Sequence, residues 1–292
     1  MTTRAGPHSP SAPCFRSFRR LLLRGGWDLC ICTHFLPAQL AAGRAGMPPC
    51  ALVVTDYTLH RYWAQPRVRN YFVARPELAM DIRTRITDAN VQVTGIPIDP
   101  TFAQSISRQD ARRRIGLEAD RPVITVMGGG FGLNIEDHIE PLLACGVDDA
   151  QLLVICGRNV AARTRLERRK LPARVHVLGF VSGIQTILAA ADVVVTKPGG
   201  LTTSEALALG RPLLLTRPLP GHEEANADVL LQLGSAQRVD RPETLAAMVR
   251  SLFEQPERLA AMSAAARSIG SSQAARNILQ HAEAGMSEAV AA

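Results

Sequence analysis

Two stretches of this 292-residue chain put glycine where an approaching phosphate would need it. In the run VITVMGGGFG over 123–132, an apolar segment leads into four glycines within five residues. Glycine has no Cβ, so the N–H groups of such a turn can reach an anion, and a following helix adds the positive end of its dipole. A nucleotide diphosphate, or a group like it, is the ligand implied for Gly128, Gly129 and Gly130. No Gly-Lys-Ser/Thr follows, which excludes a Walker loop, and the spacing is not the G-x-G-x-x-G of dinucleotide folds. The second stretch, DVVVTKPGGLTTSEAL over 192–207, ends a strand at Thr196 and turns through Lys197, Pro198, Gly199 and Gly200. Thr202, Thr203 and Ser204 are expected to cap the next helix, whose first N–H groups would meet an anion as well. Glu205 is expected on that helix's first turn. There it either complements the helix dipole or accepts from a ribose diol. A third stretch, PLPGHEEAN over 218–226, sets His222, Glu223 and Asn226 on a loop entering a helix, placed either for sugar hydroxyls or as an ordinary solvated helix start. In the first half, Asp56 follows an apolar run and His60 stands four residues on. The two are either an acid/base pair facing one cleft or a cap and a satisfied polar group.

The elements that must hold these residues are legible as apolar runs separated by turns. Strands are expected at 29–33, 51–55, 71–74 and 91–94, with helices over 36–45 and 76–87. The stretch GIPIDPT over 95–101 breaks the rhythm. It is expected to open a hinge, continued by a linker over 101–120, between an N-terminal domain (15–100) and a C-terminal one (121–292). Residues 1–14, rich in Pro, Ser and Gly, are expected to be a disordered leader. Beyond 120, strands are expected at 123–127, 151–156, 175–179, 192–196, 212–216 and 236–239. Helices should fill the gaps, and 242–283 should be helical in pieces broken near Pro256 and Gly270. Strands alternating with helices at this spacing imply right-handed βαβ units and a parallel sheet covered on both faces, an α/β fold.

Composition narrows the function classes. With 47% apolar and 20% charged residues the chain is not globally disordered, and 4% aromatics argue against a surface that stacks bases, so no nucleic-acid partner is expected. Six cysteines include no C-x-x-C pair and fall mostly in apolar runs, which points away from a zinc site or a disulfide framework and toward a reducing compartment. No stretch reaches the length of a membrane span. Within residues 1–50, Arg4, Arg16, Arg19, Arg20, Arg24 and Arg44 face Asp28 alone, so most of the net charge of +7 is N-terminal. The densest part, Phe15 to Arg24, reads either as the first helix on a sheet or as an element docking on anionic lipid. Lys170 and Lys197 are the only lysines, which makes Lys197 inside a glycine-rich turn harder to dismiss.

Together these motifs resemble a family. MGGG (127–130), ICGRN (155–159), GFV (179–181), TKPGGLT (196–202), Glu205-Ala206 and PGHEEAN (220–226) are similar in order and spacing to the diacylglycerol glycosyltransferases, the monogalactosyldiacylglycerol synthases and processive glucosyltransferases, with the family 28 C-terminal domain. VVTDYTLHRYW (53–63), NYFVA (70–74) and VTGIPI (93–98) extend the resemblance into the first half. It implies two Rossmann-like domains, the glycosyltransferase B architecture, and transfer of a hexose from a UDP-sugar to a lipid hydroxyl such as that of diacylglycerol, with inversion. No cofactor or metal is implied. Gly128, Gly129 and Gly130, with Gly199, Gly200, Leu201 and Thr202 at the second helix start, would hold the diphosphate, and Lys197 would add charge. Arg158, Phe180 and Val181 would flank the uracil, Glu205 the ribose, and Gly221, His222, Glu223 and Asn226 the sugar. Asp56 or His60 would be the base. Family members begin with a βα unit whose glycine-rich turn ends in His; none stands before Asp28, so the N-terminal domain is expected to be incomplete. His222 stands where many relatives have Gln, which leaves glucose, galactose and N-acetylglucosamine open as donor sugars. A catalytically incomplete nucleotide-sugar-binding protein, a partner subunit, or a transferase acting on a polyprenyl-linked saccharide are the competing readings. The expected location is cytoplasmic, peripheral on the inner face of the cell membrane.

Overall fold

Each expected strand forms within two residues of its expected place, and all pair in parallel. The computed structural model describes residues 15–132, 134–147 and 149–291, with side chains described up to Ala284; the expected leader over 1–14 lies outside the described residues. The chain divides into two compact units, one running up to Pro97 and resuming at Ala274, the other Ile98–Gln273.

In the first unit α1 (Arg16–Leu23), β1 (Cys30–Cys32), α2 (Phe35–Ala41), β2 (Cys50–Val53), β3 (Asn70–Val73), α3 (Pro76–Arg85) and β4 (Asn90–Val93) follow one another. The sheet order is β1-β2-β3-β4. One face packs Leu52, Trp63, Tyr71, Val73 and Ile82 with Ala38 and Ala41 of α2 and, at the rim, Phe18 and Leu22 of α1. α1 is thus a packed first helix: Phe18 and Leu22, one turn apart, face inward, while Leu21, Leu23 and nearby Trp27 remain exposed.

The second unit continues with α4 (Arg108–Arg114), β5 (Val123–Met127), α5 (Ile139–Leu143), β6 (Gln151–Ile155), α6 (Val160–Glu167), β7 (Val175–Leu178), α7 (Ile184–Ala190), β8 (Val193–Thr196), α8 (Gly200–Ala208), β9 (Leu213–Thr216), α9 (His222–Gln232), β10 (Ala236–Val239), α10 (Pro242–Glu254) and α11 (Pro256–Ile269). Its sheet order is β10-β9-β8-β5-β6-β7. The succession β5, β6, β7 runs one way, and β8, β9, β10 the other. β5 and β8 are therefore neighbours, with Met127 opposite Thr196. Strands β5, β6, β8 and β9 are buried along their whole length, as expected for a sheet covered on both faces.

Two expectations about domain limits change. Residues 101–120 are not a linker but part of the second unit. Asp99 caps a short 3₁₀ turn that buries Phe102, Ser107 caps α4, and Ala111 packs with Ala189 and Ala190. The arginine-rich sequence of α4 concealed a buried anchor. Arg112 donates to Asp192 at 2.6 Å and to the carbonyls of Ala190 and Ala119. Asp192 also accepts from the Val123 N–H at 2.7 Å and pairs with Arg108. At the other end, the helical stretch breaks at Pro256 and Gly270 as expected, but its last piece, α12 (Ala274–Ala291), belongs to the first unit. Its Ile278 and Ala282 cover Ala51, Val53 and Phe72 on the second face of that sheet.

Replacing Asp192 by Ala leaves the Arg112 guanidinium buried without its counter-charge. The loss expected in denaturant unfolding is about 3–5 kcal/mol, the usual cost of removing one partner of a buried pair.

Candidate functional site

The glycine-rich turns sit at the carboxyl ends of β5 and β8, side by side because those strands pair. The turn after β5 is fixed against the one after β6. Gly130 accepts from the Arg158 N–H at 3.0 Å, and Gly132 accepts from the Asn159 side chain at 3.0 Å. Gly132 has φ +58°, and a Cβ there would lie 1.9 Å from the Cys156 carbonyl oxygen, so only glycine fits. Around Gly130 the space is open. One strand further, the Arg158 guanidinium lies 5.4 Å from the centre of the Phe180 ring. Phe180 is 66% exposed, and Val181 beside it is half-buried. Arg158 and Phe180 make a flat cationic and aromatic platform next to the glycine-rich turn after β5.

The turn after β8 differs from its expected form. α8 begins at Gly200, with Gly199 as a cap that offers no side chain. Thr203 and Ser204 are therefore inside the helix, their hydroxyls donating back to the carbonyls of Gly199 and Gly200 at 2.8 and 2.7 Å, and Thr202 is in the first turn. No side chain caps the first turn formed by Gly200, Leu201 and Thr202, which suits an anion site better than the capped helix expected. Glu205 lies on the second turn, too far in for the dipole role. Its carboxyl is pushed up to about 7 by burial and, secondly, by the charge of Asp99.

Lys197 joins the two turns. Its chain passes over Gly129, whose φ is +69°, and its ammonium pairs with Glu223. Glu223 is buried and also accepts from the Leu219 N–H at 3.0 Å. His222 and Glu223 open α9 itself, not a loop before it, and Gly221, with φ +96°, precedes them. His222 is exposed. Asn226 is fully buried and its side-chain amide donates to the Pro198 carbonyl at 3.4 Å, which ties α9 to the Lys-Pro-Gly-Gly turn.

One member of this site escaped the sequence reading. His138 is 4% exposed and lines a cleft with Gly128, Lys197, Thr216 and Arg217. Neither ring nitrogen makes a hydrogen bond of normal geometry. Burial above all lowers its pKa, with Arg217 adding to the shift against the opposing pull of Asp137 and nearby carbonyls. Asn134 and Arg217, the two non-glycine residues with positive φ among those described, line the same cleft. Strain of this kind concentrates at ligand sites.

In the first unit Asp56 and His60 do face each other, at 4.0 Å between Oδ2 and Nε2. Asp56 accepts from the Trp63 indole at 3.0 Å, and His60 Nδ1 accepts from the Tyr62 N–H at 3.3 Å. With Nδ1 accepting, the tautomer of a neutral ring carries its proton on Nε2, the nitrogen facing Asp56. Phe35 stands edge-on to His60 and Trp63 and stacks on Tyr62. His34, also missed from sequence, lies two residues beyond β1 beside this group and caps α2 through Nδ1. The signal available was THFLP directly after the strand.

With this geometry in view, comparison with known proteins is informative. Residues 11–98 match the model of monogalactosyldiacylglycerol (MGDG) synthase, and 123–281 match the glycosyltransferase family 28 C-terminal domain. The chain is 32% identical over 239 residues to the processive diacylglycerol beta-glucosyltransferase of Bacillus pumilus, covering 80% of this chain and 61% of that one. To the protein of the same name from Bacillus subtilis it is 34% identical over 218 residues, 72% of this chain and 56% of the other. It thus spans about three-fifths of the length of these curated relatives. Among solved structures, Acinetobacter baumannii MurG superposes with a TM-score of 0.63 at 20% identity, over 91% of this chain and 75% of that one. Staphylococcus aureus MnaA in complex with UDP gives 0.65 at 14% identity, over 91% and 78%.

Gly132→Ala tests how the glycine-rich turn after β5 is held. With 1.9 Å to a backbone oxygen, the methyl must displace the turn. A lower melting temperature is expected, together with faster amide exchange over 128–132 and 156–159.

Proposed function

Since this chain belongs to the glycosyltransferases carrying the family 28 C-terminal domain and has the two-domain B-type fold, we propose that it transfers a hexose from a UDP-sugar to a lipid hydroxyl such as that of diacylglycerol, with inversion at the anomeric carbon. The observation carrying this reading is the adjacency of the two glycine-rich turns at the ends of β5 and β8, with an uncapped helix start beside them. Gly128, Gly129, Gly130 and the N–H groups of Gly200, Leu201 and Thr202 stabilise the leaving diphosphate in a fixed, largely dehydrated cradle, where oriented dipoles act most strongly. Lys197 exchanges its pairing with Glu223 for the diphosphate, and the released Glu223 turns to the sugar hydroxyls. Arg158 and Phe180 flank the uracil, and Glu205 accepts from the ribose diol. In the first unit Asp56, oriented by Trp63 and paired with His60, takes the proton of the acceptor hydroxyl. The acceptor places the protein at the cytoplasmic face of a membrane. No described helix is long and apolar enough to cross one, and α1 offers exposed Leu21, Leu23 and Trp27 beside Arg16, Arg20 and Arg24.

The deciding experiment incubates the full chain with anionic vesicles containing diacylglycerol and each of UDP-glucose, UDP-galactose and UDP-N-acetylglucosamine. Glycolipid formation coupled to UDP release from one donor supports the reading. Tight UDP binding without transfer from any donor would favour a nucleotide-sugar-binding protein.

Four outcomes are expected. Because Glu205 titrates at about 7 and only its ionised form accepts from both ribose hydroxyls, UDP affinity should rise as pH increases through that value and level off above it. The β-phosphate of UDP also titrates nearby, so calorimetry should compare the wild type with Glu205→Gln, whose profile lacks this component. At pH 8, Glu205→Ala should weaken UDP by about 1–3 kcal/mol. A chelator should leave UDP binding intact, because backbone N–H groups supply the positive end and the sequence has no Asp-x-Asp to hold a cation against the diphosphate. Replacing Leu21, Leu23 and Trp27 by Ser should reduce co-sedimentation with anionic vesicles while UDP binding persists; each arginine near such a surface contributes about 1 kcal/mol, so replacing Arg16, Arg20 and Arg24 by Gln should reduce it too.

A further inference from the structure

The transfer chemistry makes no use of the cysteines in the first unit. Parallel pairing of β1 with β2 sets Cys30 opposite Cys50, and the two-residue repeat of β1 returns Cys32 to the face that Cys30 occupies. All three thiols join the side of the sheet covered by α1 and α2. Their Sγ atoms lie within 4.8 Å of one another, those of Cys30 and Cys32 at 3.6 Å. Zinc-bound thiolates, with Zn–S bonds of about 2.3 Å, stand about 3.8 Å apart in a tetrahedron. The trio therefore needs a closure of about 1 Å at its widest to grip one such ion. Cys32 and Cys50 are buried, and Cys30 is half-buried at the edge of the described sheet, which gives the ion a way in.

We propose that Cys30, Cys32 and Cys50 bind one thiophilic closed-shell cation, of the class of Zn²⁺, through three thiolates, with the fourth position open to water on the Cys30 side. Binding forms three metal–sulfur bonds and releases the three thiol protons to solvent, so affinity rises with pH. Softness of the donor set selects against Mg²⁺ and Ca²⁺, which take oxygen ligands. The spacing C-x-C, with the third thiol on the next strand, is not a finger or ribbon pattern. It follows from strand register.

The test uses the full chain, stripped of metal and kept reduced with a phosphine. Zn²⁺ is added under equilibrium dialysis, and Cd²⁺ in parallel to read the ultraviolet sulfur-to-metal charge-transfer band. Expected are about one equivalent bound per chain, a thiolate band with Cd²⁺, and a loss of at least about tenfold in affinity in Cys30→Ala, a ligand loss being no milder than loss of an outer-shell partner. Cys14→Ala/Cys145→Ala should bind as the wild type does. Circular dichroism and melting of Cys30→Ala without metal establish that it folds; if it does not, the wild-type band alone decides. No charge-transfer band in the wild type, or equal binding by a folded Cys30→Ala, overturns the proposal and shows three core thiols without a ligand. UDP binding, measured alongside, belongs to the other unit and is expected to be unchanged by either result.

Discussion

The pairing of β5 with β8 is the constraint on which the second unit depends. A parallel sheet that grows from β5 toward β7 and from β8 toward β10 must leave, where the two directions part, a crevice that no crossover helix fills. Met127 opposite Thr196 brings the glycine turns together there, and no other adjacent strand pair in this order would. The buried Asp192 guards this arrangement from below. It ties the N–H of Val123 at the start of β5 to α4 through Arg112, so the two central strands and the helix are registered by one carboxylate.

Charge at the carboxyl edge is arranged with the same economy. A lysine and a buried glutamate neutralise each other across the two turns, while burial pushes the carboxyl of a second glutamate up to about 7 and lowers the pKa of a histidine. Buried carboxylates and strained backbone are tolerated only where the surrounding structure fixes them, and functional sites are where they gather.

Much of this was legible in the sequence, for definite reasons. Apolar runs such as 123–127 and 193–196 can only be buried strands in an alternating α/β chain, and glycine after them marks the turn. What stayed hidden depended on partners distant in sequence or on local geometry that composition does not reveal. Thr203 and Ser204 look like caps, yet a glycine three residues earlier starts the helix and turns their hydroxyls inward. The contact of Asn226 with the Pro198 carbonyl joins two elements twenty-eight residues apart, which no motif announces. The arginines of α4 resemble a solvated linker because nothing in RQDARRR distinguishes Arg112, whose partner lies eighty residues away. The cysteines of β1 and β2 carry no motif spacing, and only register unites them. His34 and His138 are single histidines whose settings are supplied wholly by tertiary packing.

The central claim is that the carboxyl edge of β5 and β8 holds the diphosphate of a nucleotide sugar. Amide hydrogen exchange with and without saturating UDP tests it most directly, because the proposed contacts are to backbone N–H groups. The expected result is slowed exchange at 128–130 and at 199–203, with the flanking strands unchanged and a smaller effect at 179–181. Slowed exchange confined to other segments, or none at saturation, would contradict it.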